Sequence, residues 1–167
     1  MVSVAMPMFE RVDQICILVA DLDDAIAAYS PLFAVKHWRG YQYGPDTVPE
    51  LEYRGGPGVF SMWLALSDST PQIELIQSVN GPSIYTEWIE RHGFGFHHVG
   101  VVTANLVADT QSLEARGFVV SQSGRGYGLD GDGGFAYFDS VERLGLVLEL
   151  IEVPTRRRTP DREWQIA

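Results

Sequence analysis

Asp13-Gln14-Ile15-Cys16-Ile17-Leu18-Val19-Ala20-Asp21-Leu22 and, 84 positions later, His97-His98-Val99-Gly100-Val101-Val102-Thr103-Ala104-Asn105-Leu106 are two versions of one pattern. Each is an apolar strand that ends in a small residue, then Asp or Asn, then Leu. Asp21 and Asn105 are N-cap residues, whose side chains accept hydrogen bonds from the unpaired N–H groups of a helix start. After Asp21, the residues Leu22, Ala25, Ile26, Tyr29 and Phe33 recur at helical spacing and read as the buried stripe. After Asn105 the stripe is weaker, with Leu106, Ala108 and Leu113. Gly117 stops that helix and Phe118-Val119-Val120 begins a new strand.

A second matched pair follows. Ile73-Glu74-Leu75-Ile76 is echoed 75 positions later by Leu148-Glu149-Leu150-Ile151. Between helix and closing strand each half has room for two more strands, at about 35–43 and 59–66 in the first half and 118–123 and 134–139 in the second. The order in each half is therefore β, α, β, β, β. This divides the chain into a first module at 9–80, a connecting helix at 81–94, a second module at 95–153 and an irregular tail at 154–167. The turn Asn80-Gly81-Pro82-Ser83 leads into the connecting helix, with Ser83 as its cap, Ile84, Trp88 and Ile89 inward, and Gly93 at its end. Residues 123–134 include six glycines and read as a mobile loop carrying Arg125 and Tyr127. Residues 1–7 read as a loose start.

Composition narrows the function. Twelve basic residues against 22 acidic ones give a formal net charge of −10. Such a chain lacks the positive field that nucleic acid or an anionic membrane requires. A small-molecule substrate held by a few local arginines, such as Arg156-Arg157-Arg158, is compatible with it. No apolar run is long enough to cross a membrane and no signal peptide is read, so the expected location is cytoplasmic. The single cysteine, Cys16, excludes an intrachain disulfide framework and a zinc site built on cysteines. It reads as a small residue of the core or of a cavity wall.

Strand residues alternate between faces. Gln14, Cys16 and Leu18 share one face of the first strand, and His98, Gly100 and Val102 are their counterparts; His97 falls on the opposite face and reads as structural. Glu74 and Glu149 each stand between apolar neighbours, where a carboxylate is costly unless paired. The repeat thus delivers Gln14, Glu74, His98 and Glu149 at equivalent positions. If a pseudo-twofold axis relates the halves, these groups converge. Two carboxylates, an imidazole and an amide oxygen make a mainly oxygen-donor metal site, suited to Zn²⁺, Ni²⁺, Co²⁺, Mn²⁺ or Mg²⁺.

The chain from about residue 9 to 153 resembles the vicinal-oxygen-chelate (glyoxalase, bleomycin-resistance and dioxygenase) superfamily. The resemblance lies in the strand and helix from Val12 to Phe33, in Ile73-Glu74-Leu75-Ile76 with Gly81-Pro82-Ser83, in Phe96-His97-His98-Val99-Gly100-Val101, and in Gly145-Leu146-Val147-Leu148-Glu149-Leu150. It implies an α+β fold in which two tandem βαβββ modules form an open, cupped mixed β-sheet around a central metal. It places the ligands at Gln14, Glu74, His98 and Glu149. By the same resemblance the metal chelates two substrate oxygens, acidifies the carbon next to a carbonyl and stabilises an enediolate. Glu149 is then the first choice of base and Glu74 the second. The activity implied is a metal-dependent lyase, isomerase or epimerase, and a homodimer is expected. Two rivals share the fold: a metal-free protein that sequesters a small molecule such as an antibiotic, and a ring-cleaving dioxygenase, which prefers two histidines and one carboxylate for Fe(II). Methylmalonyl-CoA epimerases resemble the chain from Ile73 to Val102, but their second carboxylate falls here on Gly55-Gly56-Pro57-Gly58, with Glu50 and Glu52 the nearest substitutes.

Overall fold

The computed structural model describes residues 8–166; residues 1–7, read as a loose start, lie outside them. The elements in chain order are β1 (Gln14–Leu18), α1 (Leu22–Phe33), β2 (His37–Tyr43), β3 (Glu50–Tyr53), β4 (Gly56–Pro57), β5 (Ser61–Ser67), β6 (Gln72–Asn80), α2 (Ile84–His92), β7 (Gly95–Val102), α3 (Leu106–Glu114), β8 (Val120–Tyr127), β9 (Gly133–Phe138), α4 (Val141–Leu144), β10 (Val147–Glu152) and β11 (Arg162–Gln165). The caps are those the sequence announces. Asp21 accepts from the Asp24 N–H, Asn105 from the Ala108 N–H, and Ser83 forms a capping box with Thr86.

All eleven strands form one curled mixed sheet, ordered β11-β2-β5-β6-β1-β7-β10-β9-β8-β3-β4. The repeat is visible in its centre: β1 pairs in parallel with β6, β7 in parallel with β10, and β1 and β7 join the halves antiparallel. Alternation sorts the side chains. Cys16, Leu18, Leu64, Leu66, Ile76, Phe135, Tyr137 and Val147 fill the inside of the curl together with Ile84 and Tyr85 of α2. The outer face is covered by α1 over the first half and α3 over the second, each with its own apolar cluster. Among the described residues, no helix is long and apolar enough to cross a membrane.

Four sequence expectations are corrected. First, β3 and β4 form a hairpin between β2 and β5. Its turn residues Arg54 and Gly55 both have positive φ, 51° and 77°, as a two-residue hairpin of right-handed twist requires. β3 adds to β8, so a hairpin from the first half forms the outer edge of the second. Second, the Gly-rich segment is mostly sheet: β8 runs to Tyr127, β9 starts at Gly133, and only residues 128–132 are irregular. A Cβ on Gly124 would lie 2.5 Å from the Phe135 ring, and one on Gly133 2.6 Å from that of Tyr127. These glycines make room for aromatic rings; they do not loosen the chain. Third, the tail ends in a strand, β11, which pairs with β2. Trp164 lies over Gly40, where a Cβ would come within 2.6 Å, and its indole N–H donates to Asp23. Fourth, Phe33 is exposed. The buried stripe of α1 runs Leu22, Ala25, Ile26, Ser30, and the Ser30 hydroxyl accepts from the Trp38 indole.

Candidate metal and substrate site

Four neighbouring central strands each contribute one of the polar residues singled out by the repeat: Glu74 from β6, Gln14 from β1, His98 from β7 and Glu149 from β10. The register brings them together. Gln14 and Glu149 both pair with Gly100 from opposite sides of β7, while Cys16 pairs with both Glu74 and His98. None of the four is more than 6% exposed. His98 Nε2 stands 3.0 Å from a Glu149 oxygen and 3.3 Å from a Glu74 oxygen. Gln14, Glu74 and Glu149 line a cavity of about 30 Å³, roughly the volume of one water.

The neighbours fix how these groups point. Gln14 Nε2 donates to Gln72 Oε1 at 3.0 Å, and Gln72 Nε2 donates to the Ser67 carbonyl at 3.1 Å. This leaves the Gln14 carbonyl oxygen uncommitted. Gly100 makes the space: a Cβ there would lie 3.0 Å from that oxygen and 2.7 Å from Ile151 Cδ1. His98 Nδ1 lies 2.9 Å from His97 Nδ1, so one imidazole donates to the other.

The position of His97 departs from strict alternation. The β1–β7 register jumps from Cys16–His98 to Ile17–Phe96, a bulge that leaves His97 as the extra residue. His97 therefore shares the inner side with His98. Its ring is fully buried and packs edge-on against Tyr85 and Trp88 of α2. Burial pushes it down to about 2, helped by the adjacent His98, so it stays neutral.

Gln14 Oε1, Glu74 Oε2, His98 Nε2 and Glu149 Oε2 are all buried without a hydrogen-bond partner. The imidazole and the carboxylates approach within ion-pair distance. Two carboxylates against one imidazole leave an excess of buried negative charge, and a buried charge left unpaired costs several kcal/mol, against about 1 kcal/mol gained from an ordinary hydrogen bond. Four such atoms, three of them on residues that line the small cavity, form a donor set that fits a divalent cation. The Cys16 sulfur also lies within 4.8 Å of ligand atoms of Glu74 and His98, a geometry able to hold a metal. Burial raises that thiol to about 12, so it is a neutral and weak donor beside the oxygen-rich set.

Charge coupling is strong here. Burial raises the Glu149 carboxyl, and the Glu74 charge adds to this, while His98 opposes both. Burial would push the His98 imidazole down. An upward push from Cys16 would need a thiolate, which that thiol does not supply; the Glu149 carboxylate is what holds the imidazole well above its usual value.

Several candidates fall outside the site. Glu50 and Glu52 are exposed on β3 and pair with Arg125 and Ser123 of β8, so neither supplies the missing second carboxylate. Arg125 is half-buried on β8 and does not line the cavity, whereas Tyr127 is buried and does. Sequence reading missed Gln72, the orienting role of His97, and Tyr137 as a cavity residue; of the three arginines it singled out, Arg157 lines the cavity. Gln72 carried a signal, since it shares a strand face with Glu74. The larger cavity, about 590 Å³, is elsewhere, between α2 and α4, and His97 lines it.

A model of the Glyoxalase/Bleomycin resistance protein/Dioxygenase superfamily matches residues 13–138. No curated protein is similar enough to the chain to match. Among solved structures, methylmalonyl-CoA epimerase from Mycobacterium tuberculosis superposes with a TM-score of 0.64 at 19% identity, over 92% of this chain and 95% of that one. Methylmalonyl-CoA epimerase from Streptomyces coelicolor, in complex with 2-nitronate-propionyl-CoA, gives 0.64 at 18% identity, over 88% and 99%. A hypothetical protein from Bacillus halodurans gives 0.64 at 17%, over 89% and 98%. At these identities the likeness is one of fold.

Proposed function

Because the chain belongs to the Glyoxalase/Bleomycin resistance protein/Dioxygenase superfamily, we propose that it is a metal-dependent lyase, isomerase or epimerase that moves a proton at the carbon next to a carbonyl of a small oxygenated substrate. Gln14, Glu74, His98 and Glu149 would hold the divalent ion, with Zn²⁺, Ni²⁺, Co²⁺, Mn²⁺ and Mg²⁺ all compatible with the donors. The observation that carries this reading is the set of four buried polar atoms without a hydrogen-bond partner. When bound, the ion polarises a carbonyl oxygen and stabilises the negative charge that follows deprotonation beside it.

The chain's own groups do the rest. Glu149, the buried carboxyl nearest to His98, takes and returns the proton. Glu74 is the second choice. Gln72 and His97 hold the Gln14 amide and the His98 imidazole in place. Tyr43, Tyr127 and Tyr137 wall the cavity from water. With Glu50 and Glu52 turned outward, the proton is carried by a single group, and this disfavours direct two-base epimerisation. A dioxygenase is disfavoured because only one imidazole, that of His98, stands against the two carboxylates.

The first test is metal content in protein purified without added metal, beside a Glu74→Ala, His98→Ala double variant. About one divalent ion per wild-type chain, lost in the variant, is the expected result. Hydrogen exchange from D₂O into 2-oxo thiohemiacetals and acyl-CoA esters, followed by NMR, then identifies the reaction. No ion, and no thermal shift with any of the five metals, would overturn the metalloenzyme reading in favour of a metal-free binding protein.

A further inference from the structure

We propose that Arg157 is the anion-recognising group of the cavity, and that the substrate is a compact molecule with a flat apolar body and a carboxylate or phosphate group. This rests on the proposed function for its chelated oxygens, but not for the anion contact itself.

The argument begins with three consecutive arginines in different circumstances. Arg156 pairs with Asp130 of the 128–132 loop. Arg158 pairs with Asp161 at 2.6 Å and donates to the Gln42 carbonyl at 2.8 Å. Arg157, between them, makes no hydrogen bond or ion pair among the described residues. It is half-buried and lines the same cavity as Gln14, Glu74 and Glu149. It is the one cationic side chain among those lining residues. Were it only the counter-charge of Glu74 and Glu149, it would be bonded to them; the group within reach of both is His98. In a chain of net charge −10, an arginine held at a carboxylate-lined cavity without an acidic partner is placed to meet an anion from outside.

The walls specify the body of that anion. The Tyr43 and Tyr127 rings lie 5.3 Å apart by centroid, with Phe135 beyond Tyr127, and Met62 and Leu64 complete an apolar surface. Flat, apolar groups fit such walls. The strap carrying Arg157 crosses from the 128–132 loop, where the Leu129 N–H donates to the Arg156 carbonyl, to β2, where Arg158 reaches Gln42. Its two ion pairs, Arg156 with Asp130 and Arg158 with Asp161, are both bidentate. A ligand larger than the roughly 30 Å³ now open would have to displace this strap.

The test is calorimetric titration with benzoate, phenyl phosphate and neutral benzamide, on protein stripped of metal and on protein supplied with Zn²⁺. At least one anion should bind about 10-fold or more tightly than benzamide, the scale of a charged hydrogen bond. Which anion wins separates carboxylate from phosphate recognition. Arg157→Gln should abolish the preference and leave benzamide binding within about twofold, Arg157→Lys should keep part of it, and Arg156→Gln should keep all of it. No anion preference in the wild type, or a preference that survives Arg157→Gln, overturns the proposal. Failure of Zn²⁺ to bind while the Arg157-dependent preference persists would sink the metalloenzyme reading and leave this subsite standing.

Discussion

Gly100 and His97 are the two residues whose substitution best separates site geometry from fold. Gly100 lies between Gln14 and Glu149 with no room for a side chain on the inner face. Gly100→Ala should push the Gln14 amide aside and lower metal affinity by roughly 10-fold, the usual scale for disturbing the support of a ligand. Ile151 Cδ1 is the end of a flexible chain and can yield, whereas Gln14 Cβ, 3.0 Å away, is fixed to β1, so a modest fall in melting temperature should accompany the loss. His97→Phe keeps a ring against Tyr85 and Trp88 but removes the nitrogen facing His98. Zn²⁺ affinity should drop about 10- to 100-fold, read by competition with a chromophoric chelator. Loss of stability with unchanged affinity would mean that His97 only fills space.

At the scale of elements, the β3–β4 hairpin is tied down by charge. Arg54 at its turn bonds to Glu87 of α2 and to Asp139 just after β9. The Arg54 guanidinium, with help from the Tyr53 hydroxyl, holds the Glu87 carboxyl below its ordinary 4.5. A depressed folded value means that this stabilisation is complete above pH 4.5 and is lost as pH falls through the folded value. Arg54→Met should therefore cost about 1 kcal/mol at pH 7, since these groups are partly exposed and screened, or roughly 2–4 °C in melting temperature. The gap to wild type should close as pH falls below 4.5, as thermal scans at successively lower pH would show. A gap that stays constant would exclude the ion pairs as its cause.

For the whole molecule, the ends of the sheet and its centre should separate experimentally. β11 covers the outer edge of β2 through residues 122 positions apart in the chain, Arg162 and Gly40. Trp164 and Ile166 pack against the outer cluster of the first half. A chain ending at Arg158 should melt several degrees lower, because roughly 1–3 kcal/mol of apolar burial per large side chain is lost. It should also self-associate with concentration, since an uncovered strand edge pairs with others. Size-exclusion chromatography measures the second effect. The four site residues lie on β6, β1, β7 and β10, at the middle of the sheet, so Zn²⁺ binding should survive the truncation. Its loss would mean that the centre depends on the edge.

The sequence by itself determined the repeat, the caps and the four polar positions. Each is written locally: a period of two in the strands, a cap before each helix, and carboxylates at matching places in two apolar strands. The face of Glu74 and Glu149 followed from alternation alone. Tertiary structure decided the rest, because the rest depends on partners remote in the chain. Alternation counts residues and cannot register a bulge, so the inward turn of His97 came only with its packing under α2. The glycines at 124 and 133 look like loop residues until the rings they admit are in place. Nothing near residues 50–53 announces pairing with β8, and nothing near 162–165 announces pairing with β2. Those hydrogen bonds join strands of unremarkable sequence, chosen by which sheet edges the curl leaves open. The division of labour among Arg156, Arg157 and Arg158 arose in the same way, since only the folded chain sets Asp130 and Asp161 beside two of them and the cavity beside the third.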